Sequence, residues 1–452
     1  MKLTQRLFVG IVASLLVLQL WIVAPIAHAQ EVDKPNLESG AAILVEAQTG
    51  KVLYEKDADA VRGIASMTKM MTEYLLLENI DEGKLSWDDT YEPSDYAYKI
   101  SQNLSLSNVP LAKGEKYTLR ELFEAMSMYS ANGASIAIAE KISGNETNFV
   151  KMMNEKAKEL GMKDAKFVNA TGLSNSDLQG MHPKGTKASD ENLVSARSTA
   201  KLASHLINDY PEVLETSKLK EKTFHKGKNG ETQMKSWNWM LPGLVYEYKK
   251  AEVDGLKTGS TDFAGYCFTG TAEKDGARYI TVVMDAKDHG QESYEARFSE
   301  TAKLLDYAFD NFEVKTLHPA GYTLKEKVKV AKGNEKEAKV TAKEPLKVVV
   351  EKGKSAKKAV KTELVVNEKK LNSDGKLIAP IKKGEEVGYI NVKYKDDQFG
   401  YLTTEGENQS GVPIVMKEDI DKANWFSLMF RSIGDFFADM WTSAANMVKG
   451  WF

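Results

Sequence analysis

A chain of 452 residues is longer than one ordinary hydrophobic core accommodates, so two or more domains are expected. Its 42% hydrophobic and 28% charged residues are those of a folded soluble protein, and a net charge of −3 argues against general nucleic-acid binding, which needs a basic footprint. The one cysteine, Cys267, excludes an internal disulfide and leaves stability to packing.

In chain order, residues 1–29 read as an export signal. Lys2 and Arg6 precede an apolar run over 7–23, and Ala27-His28-Ala29 fits a small-x-small cleavage site. Gln19 and Pro25 weaken a retained membrane span. Residues 41–46 and 52–54, around Gln48-Thr49-Gly50, then predict a hairpin. Next comes Ala65-Ser66-Met67-Thr68-Lys69-Met70-Met71-Thr72, the opening turns of a helix. Met67, Met70, Met71, Tyr74, Leu75 and Leu77 make that helix apolar around most of its circumference, so it belongs inside a domain. Ser66 and Lys69 are three apart and rise from one face of the first turn. A lysine buried there loses its preference for the ammonium form and is able to act as a base toward the neighbouring hydroxyl.

Residues 84–120 are polar and turn-rich, and 119–128 predict a helix ending at the loop Tyr129-Ser130-Ala131-Asn132-Gly133. Helices are expected over 134–142 and 146–160, the second stopped by Gly161. A loop-rich stretch follows at 164–190, containing Gly172, Gly180, Pro183 and Gly185, and then a helix over 193–207. Short strands are predicted at 253–257, 266–271 and 279–284, with a closing helix over 294–312. The order hairpin, helices, three strands, helix suggests an antiparallel sheet covered by helices. Cys267 falls in an apolar strand and reads as a small core residue rather than a nucleophile. From 314 to about 416 the chain alternates apolar and polar residues between Gly-containing turns, the pattern of a small all-β domain with one solvated face. The tail from about Asp419 reads as an amphipathic helix whose Trp, Phe, Met and Ile residues fall on one half of the circumference. Its longest apolar runs are two or three residues, which excludes a spanning helix and leaves an interfacial helix or one packed on its own domain. The expected divisions are therefore 1–29, 30–313, 314–418 and 419–452.

Three short patterns occur in order: Ser66-x-x-Lys69, Ser130-Ala131-Asn132 and Lys257-Thr258-Gly259. The first two are individually cheap. Ser-x-x-Lys recurs at Ser198, Ser217, Ser355 and Ser373, all in polar surroundings, and Ser-x-Asn at Ser101, Ser143 and Ser236. Lys-Thr-Gly occurs once. Together they resemble the signatures of the active-site-serine penicillin-recognising enzymes, with Ser-Ala-Asn here in place of Ser-Asp-Asn. Within that group the chain is similar, from about residue 32 to its end, to the low-molecular-mass D-alanyl-D-alanine carboxypeptidases. Lys257-Thr258-Gly259-Ser260-Thr261-Asp262-Phe263-Ala264-Gly265-Tyr266, the stretch from Ala379 to Gly384 and the amphipathic tail all carry the likeness.

The resemblance implies an α+β fold: a β-lactamase/transpeptidase-like domain with an antiparallel sheet flanked by helices and a helical subdomain, then a small all-β domain and a C-terminal amphipathic helix. Amide cleavage needs a nucleophile, a base, an acid for the leaving amine and a clamp for the oxyanion. On this pattern Ser66 attacks the penultimate D-alanine carbonyl, Lys69 is the base, and Ser130 relays a proton with help from Lys257. Asn132 orients the substrate amide, backbone N–H groups of Ser66 and Ser260 form the oxyanion hole, Lys257 and Thr258 hold the terminal carboxylate, and Gly259 belongs to the substrate-binding set. Arg297 matches a family arginine near that carboxylate, a surface ion pair being the other reading. The implied partners are peptidoglycan stem peptides, β-lactam antibiotics and a membrane surface, at the outer face of a bacterial cytoplasmic membrane. No cofactor or metal is expected: the six histidines show no His-x-x-x-His spacing, and there is no Gly-x-Ser-x-Gly elbow or phosphate-binding loop. Two competing readings stay open. A β-lactamase would need a glutamate in the loop at 164–190, which offers only Asp164, Asp177 and Asp190. A non-catalytic wall-binding protein would need a degenerate site, whereas all three patterns are intact.

Overall fold

The short apolar runs at the two ends of the first domain assemble into one sheet. The computed structural model describes residues 34–402, 411–426 and 429. Strands β1 (Ala41–Glu46), β2 (Val52–Lys56), β3 (Glu252–Thr261), β4 (Gly265–Lys274) and β5 (Ala277–Met284) form a five-stranded antiparallel sheet in the order β2-β1-β5-β4-β3. The predicted opening hairpin is β1 and β2; the later three strands join it through the pairing of Ala41 with Met284 and Glu46 with Tyr279. All of β1 is buried, as expected of a central strand covered on both faces. Alternate residues of β5 serve opposite faces: Ile280, Val282 and Met284 join the main core, while the Tyr279 ring meets Phe309 edge-on at 4.9 Å. Strand β3 is at the sheet's edge.

The helices around this sheet are α1 (Lys69–Asp81), α2 (Asp95–Ser101), α3 (Leu119–Tyr129), α4 (Asn132–Ser143), α5 (Glu146–Glu159), α6 (Ala196–Asp209), α7 (Val213–Ser217) and α8 (Ala296–Asn311). Their starts follow capping chemistry. Thr118 accepts from the Glu121 N–H while the Glu121 carboxylate accepts from the Thr118 N–H, a complete capping box on α3. Asn145 and Ser195 cap α5 and α6 in the simpler way. Helix α4 is the buried axis of the helical part: Ala134, Ile136, Ala137, Ile138 and Ala139 are all inaccessible. Two sequence expectations shift here. The turn-rich stretch 84–120 contains α2, which Ser94 caps by accepting from the Ala97 N–H. The helix expected from 193 begins at Ala196, because 193–195 pair as a short strand with 61–63.

Helix α8 ends at Asn311 and the next strand, β6 (Phe312–His318), begins without a linker. It pairs with β9 (Leu346–Glu351). Strands β7 (Thr323–Ala331), β8 (Glu337–Ala342), β10 (Val360–Val366), β11 (Leu377–Ile378), β12 (Glu386–Tyr394) and β13 (Pro413–Met416) form a six-stranded sheet in the order β10-β12-β13-β8-β7-β11. The all-β character expected for this part is therefore observed. Its junction with the first part is tied by Lys51, whose Nζ contacts Asp397 at 2.5 Å and donates to the Gly400 carbonyl at 2.8 Å. The tail departs from its expectation at its start. Residues 419–424 are extended rather than helical: Ile420 bridges to Ile381, the Ala423 N–H donates to the Lys332 carbonyl, and Ile420 sits in the β core. Helical geometry begins at Trp425. The rest of the expected amphipathic helix, like the expected export signal, lies outside the described residues. Among the described residues no helix is long and apolar enough to cross a membrane.

Candidate active site

Ser66 sits on a single 3-10 turn, Ala65–Thr68, that runs directly into α1. The turn is held by two glycines whose lack of a side chain is required. A Cβ on Gly259 of β3 would lie 2.7 Å from the Ile64 carbonyl oxygen and 3.1 Å from the Ser66 nitrogen. A Cβ on Gly172, in the loop on the other side, would lie 1.9 Å from the Ala65 carbonyl oxygen. Ala65 itself has φ +46°, a left-handed conformation costly for a residue with a Cβ, immediately before the serine. Ser130 is the second such case: at φ +61° it terminates α3 and lets the chain turn back into α4 at Asn132.

Lys69 is fully buried at the first position of α1. Its Nζ reaches Ser66 Oγ at 2.9 Å, Asn132 Oδ1 at 2.8 Å and the Thr171 carbonyl at 2.6 Å. Asn132 is fixed in orientation, since its Nδ2 donates to the Ser107 carbonyl at 3.0 Å. Burial pushes the Lys69 ammonium toward deprotonation, and the charge of Lys257 adds to that push against the weaker counter-effect of Glu73. Lys257 is also buried, and its Nζ donates to the Thr258 carbonyl at 3.3 Å. Burial lowers its proton affinity; Glu73 opposes this and Arg297 reinforces it.

A cavity of about 200 Å³ opens over these groups, lined by Ser66, Ser130, Asn132, Thr258, Gly259, Ser260 and Arg297, with Ser105, Leu106, Ser107, Leu173, Trp237 and Tyr294 completing its walls. The residues expected from the three patterns thus converge, with Lys69 and Lys257 behind the wall. Ser66 is about 190 positions from the β3 residues it faces, and only the β3–β4 sheet packed on the serine turn brings them together. Arg297, in the first turn of α8, is 1% exposed and belongs to no ion pair among the described residues, which overturns the reading of it as a surface partner. Its Nη1 donates to the Gly259 and Cys267 carbonyls at 3.1 and 3.4 Å, its guanidinium stacks on Tyr294 at 3.8 Å, and its Nη2 has no partner. Cys267 is a buried core residue as expected, its thiol pushed up to about 11 by burial.

Sequence reasoning missed the Thr171 and Ser107 carbonyls, the Trp237 and Tyr294 walls and the buried carboxyl of Glu73. One local signal for the first existed: Asn169 Oδ1 accepts from the backbone N–H groups of Thr171 and Gly172, the side-chain-made turn that Asn-x-Thr-Gly favours. No Asp or Glu lines the cavity, and among the described residues no cluster of His, Cys, Asp or Glu has metal-binding geometry.

The family model for D-alanyl-D-alanine carboxypeptidase matches residues 28–288, and that for the C-terminal domain of penicillin-binding protein 5 matches residues 312–422. The D-alanyl-D-alanine carboxypeptidase DacF of Bacillus subtilis is 32% identical over 416 residues, covering 91% of this chain and 94% of its own. Among solved structures, a peptidoglycan synthesis regulatory factor (PBP3) of Streptococcus pneumoniae superposes with a TM-score of 0.73 at 36% identity, covering 85% of this chain and all of its own. Penicillin binding protein 5 of Haemophilus influenzae gives 0.66 at 26% identity, covering 86% and 100%.

Proposed function

The chain belongs to the D-alanyl-D-alanine carboxypeptidase family of penicillin-binding serine peptidases, and on that footing we propose that it removes the terminal D-alanine of peptidoglycan stem pentapeptides through an acyl-enzyme on Ser66. The observation that carries this reading is the set of three oxygens around Lys69 Nζ. A neutral amine has two N–H donors and one lone pair. The Thr171 carbonyl and Asn132 Oδ1 only accept, so they take the two N–H groups, and the lone pair is left for the Ser66 hydroxyl proton. Burial and the Lys257 charge favour that neutral form.

Lys69 then takes the proton as Ser66 Oγ bonds to the penultimate carbonyl carbon. The oxyanion that forms is met by the backbone N–H groups of Ser66 and Ser260. Breaking the C–N bond requires a proton on the departing D-alanine nitrogen; Ser130, on the cavity wall, relays it with Lys257 behind. The open side of edge strand β3 offers a peptide main chain a place to extend the sheet, with Asn132 opposite. The terminal carboxylate is held by Lys257, Thr258 and the unpartnered Nη2 of Arg297, close to Gly259. Water then releases the ester. With no carboxylate lining the cavity to activate that water, a penicilloyl ester is expected to persist, which disfavours a β-lactamase. Labelled penicillin followed by peptide mapping should place a lasting adduct on a peptide containing Ser66. Label at Ser130, or none, would sink the mechanism, and rapid loss of the adduct would restore the β-lactamase reading.

We further propose that residues 1–29 direct export, and that the tail holds the protein at the outer face of the cytoplasmic membrane. Trp425 and Phe426, the first helical residues, are 66% and 63% exposed, as an interfacial helix requires and a helix packed on its own domain does not. The extended stretch through Ala423 belongs to the β core, so the cut that tests the anchor falls after Asn424. The protein ending there should leave the membrane fraction and still bind penicillin. A truncated protein that stays with membranes rules out the tail as the anchor.

A further inference from the structure

Glu73 lies one helical turn after Lys69, on the same face of α1 and pointing inward. It is 2% exposed, and its Oε1 has no hydrogen-bond partner. A carboxyl group placed so is expensive unless charge elsewhere compensates it. Lys257, two positions before Gly259 on the strand that packs against the serine turn, is equally buried and makes no ion pair among the described residues, its one hydrogen bond going to its neighbour's carbonyl. Two lysines and one carboxyl group thus share a closed interior behind the cavity, and the proposed chemistry requires the lysines to differ, Lys69 neutral and Lys257 charged.

We propose that Glu73 is a positioning residue of this active site, the internal counter-ion that keeps the Lys257 side chain an ammonium and thereby a competent partner for the substrate carboxylate. The neighbouring elements supply no rival. Glu124 of α3 is engaged by Lys222, and Glu146 of α5 by the Ala170 N–H and the Tyr96 hydroxyl. On α6, Arg197 is engaged by Glu55 and Asp59, and Asp209 by Tyr74. The charges acting on Glu73 are those of Lys257 and Lys69, and Arg297 acts on Lys257 from the other side. After burial, Glu73 is the main influence on Lys257 and favours its charge. Lys69 differs because the repulsion from Lys257 outweighs the attraction of Glu73. One carboxylate therefore sustains one ammonium and leaves the second lysine a base. Burial raises Glu73 itself to about 7, with the Ser127 hydroxyl and both lysines opposing, so the counter-ion is present above that pH and absent below it.

The proposal rests on reading Lys257 as a carboxylate-binding group, and the experiment separates the two. KM and kcat of the full-length protein for a D-alanyl-D-alanine-terminated peptide are measured from pH 6 to 9, alongside Glu73→Gln and Glu73→Asp. Lys257, at about 8, is the group whose deprotonation should raise the wild-type KM. In Glu73→Gln that rise should begin about one pH unit lower, a tenfold difference per unit. The KM values of the two enzymes should coincide at pH 6, and Glu73→Asp should restore part of the shift. Superimposed KM profiles that both rise overturn the counter-ion and spare the Lys257 reading; a wild-type KM flat to pH 9 overturns both. A carbon-13 titration of the Glu73 carboxyl in the intact wild-type protein needs no substitution. A carboxylate signal above pH 7 supports the proposal, and a carboxyl that stays protonated to pH 9 overturns it.

Discussion

Lys69→Arg should reduce acylation of Ser66 by about a thousandfold or more, while Lys257→Arg should cost only about ten- to a hundredfold, although both substitutions keep a cation. The difference follows from what each lysine is asked to do. A general base in the transition state contributes roughly 10²–10⁴ in rate, and guanidinium stays protonated at any working pH, so arginine removes the base outright. The position is also unforgiving in shape, because three oxygens at 2.6 to 2.9 Å close around a single nitrogen. Lys257 is read instead as a charge facing a carboxylate, a task that guanidinium performs well, and the penalty there is that of refitting a longer group into a buried site. Stopped-flow acylation by a fluorescent β-lactam measures both rates, and thermal unfolding of each variant checks that the comparison is between folded proteins. Equal losses would mean that the two lysines do not have these different roles.

That asymmetry is only half legible in the sequence. Ser66, Lys69, Ser130, Asn132 and Lys257 announce themselves because their side chains do the work and their spacing recurs in a known family. The apolar residues beside Lys69 predict its burial, but the contacts that aim its lone pair at Ser66 are not written there. Its third contact is a backbone carbonyl 102 residues away, and the partner that orients Asn132 is another, 25 residues before it. Backbone oxygens carry no residue identity, so only the fold can nominate them. The same holds for Arg297, whose burial depends on α8 packing over β3 and β4 and on a tyrosine three residues earlier in the chain. Glu73 was hidden for a different reason: a glutamate in a helix is ordinarily a solvated residue, and only its 2% exposure makes it chemically consequential. The sheet's strands and the main helices were recoverable from periodicity because each buries a repeating apolar face. The tail's start was not, since Ile420 and Ala423 fit a helical pattern as well as the extended pairing they adopt with Ile381 and Lys332.

Gly172→Ala should nearly abolish penicillin binding, whereas Gly180→Ala, eight residues on in the same loop, should leave it intact. Both glycines have positive φ, +82° and +75°, so each alanine bears a comparable left-handed penalty of about 1–2 kcal/mol. Only their surroundings differ. A Cβ at position 180 meets nothing within 4 Å; one at position 172 falls 1.9 Å from the Ala65 carbonyl oxygen and 2.9 Å from the Ser66 nitrogen. No side chain can rotate to relieve that contact, because both atoms are backbone. Either the loop withdraws, taking the Thr171 carbonyl off Lys69, or the 3-10 turn shifts, taking the Ser66 hydroxyl and N–H with it. The turn has little freedom to retreat, since on its far side the strand at Gly259 already approaches as closely as a glycine allows. Misplacing a reacting group by about 1 Å is enough to cost on the order of a hundredfold. Gly172→Ala should therefore lose acylation by at least that factor and destabilise the fold by more than Gly180→Ala does. The acylation rates and unfolding midpoints of the two variants decide the matter: equal losses of activity would assign the effect to the strained backbone alone, and full activity in Gly172→Ala would mean that the serine turn is not held by this contact.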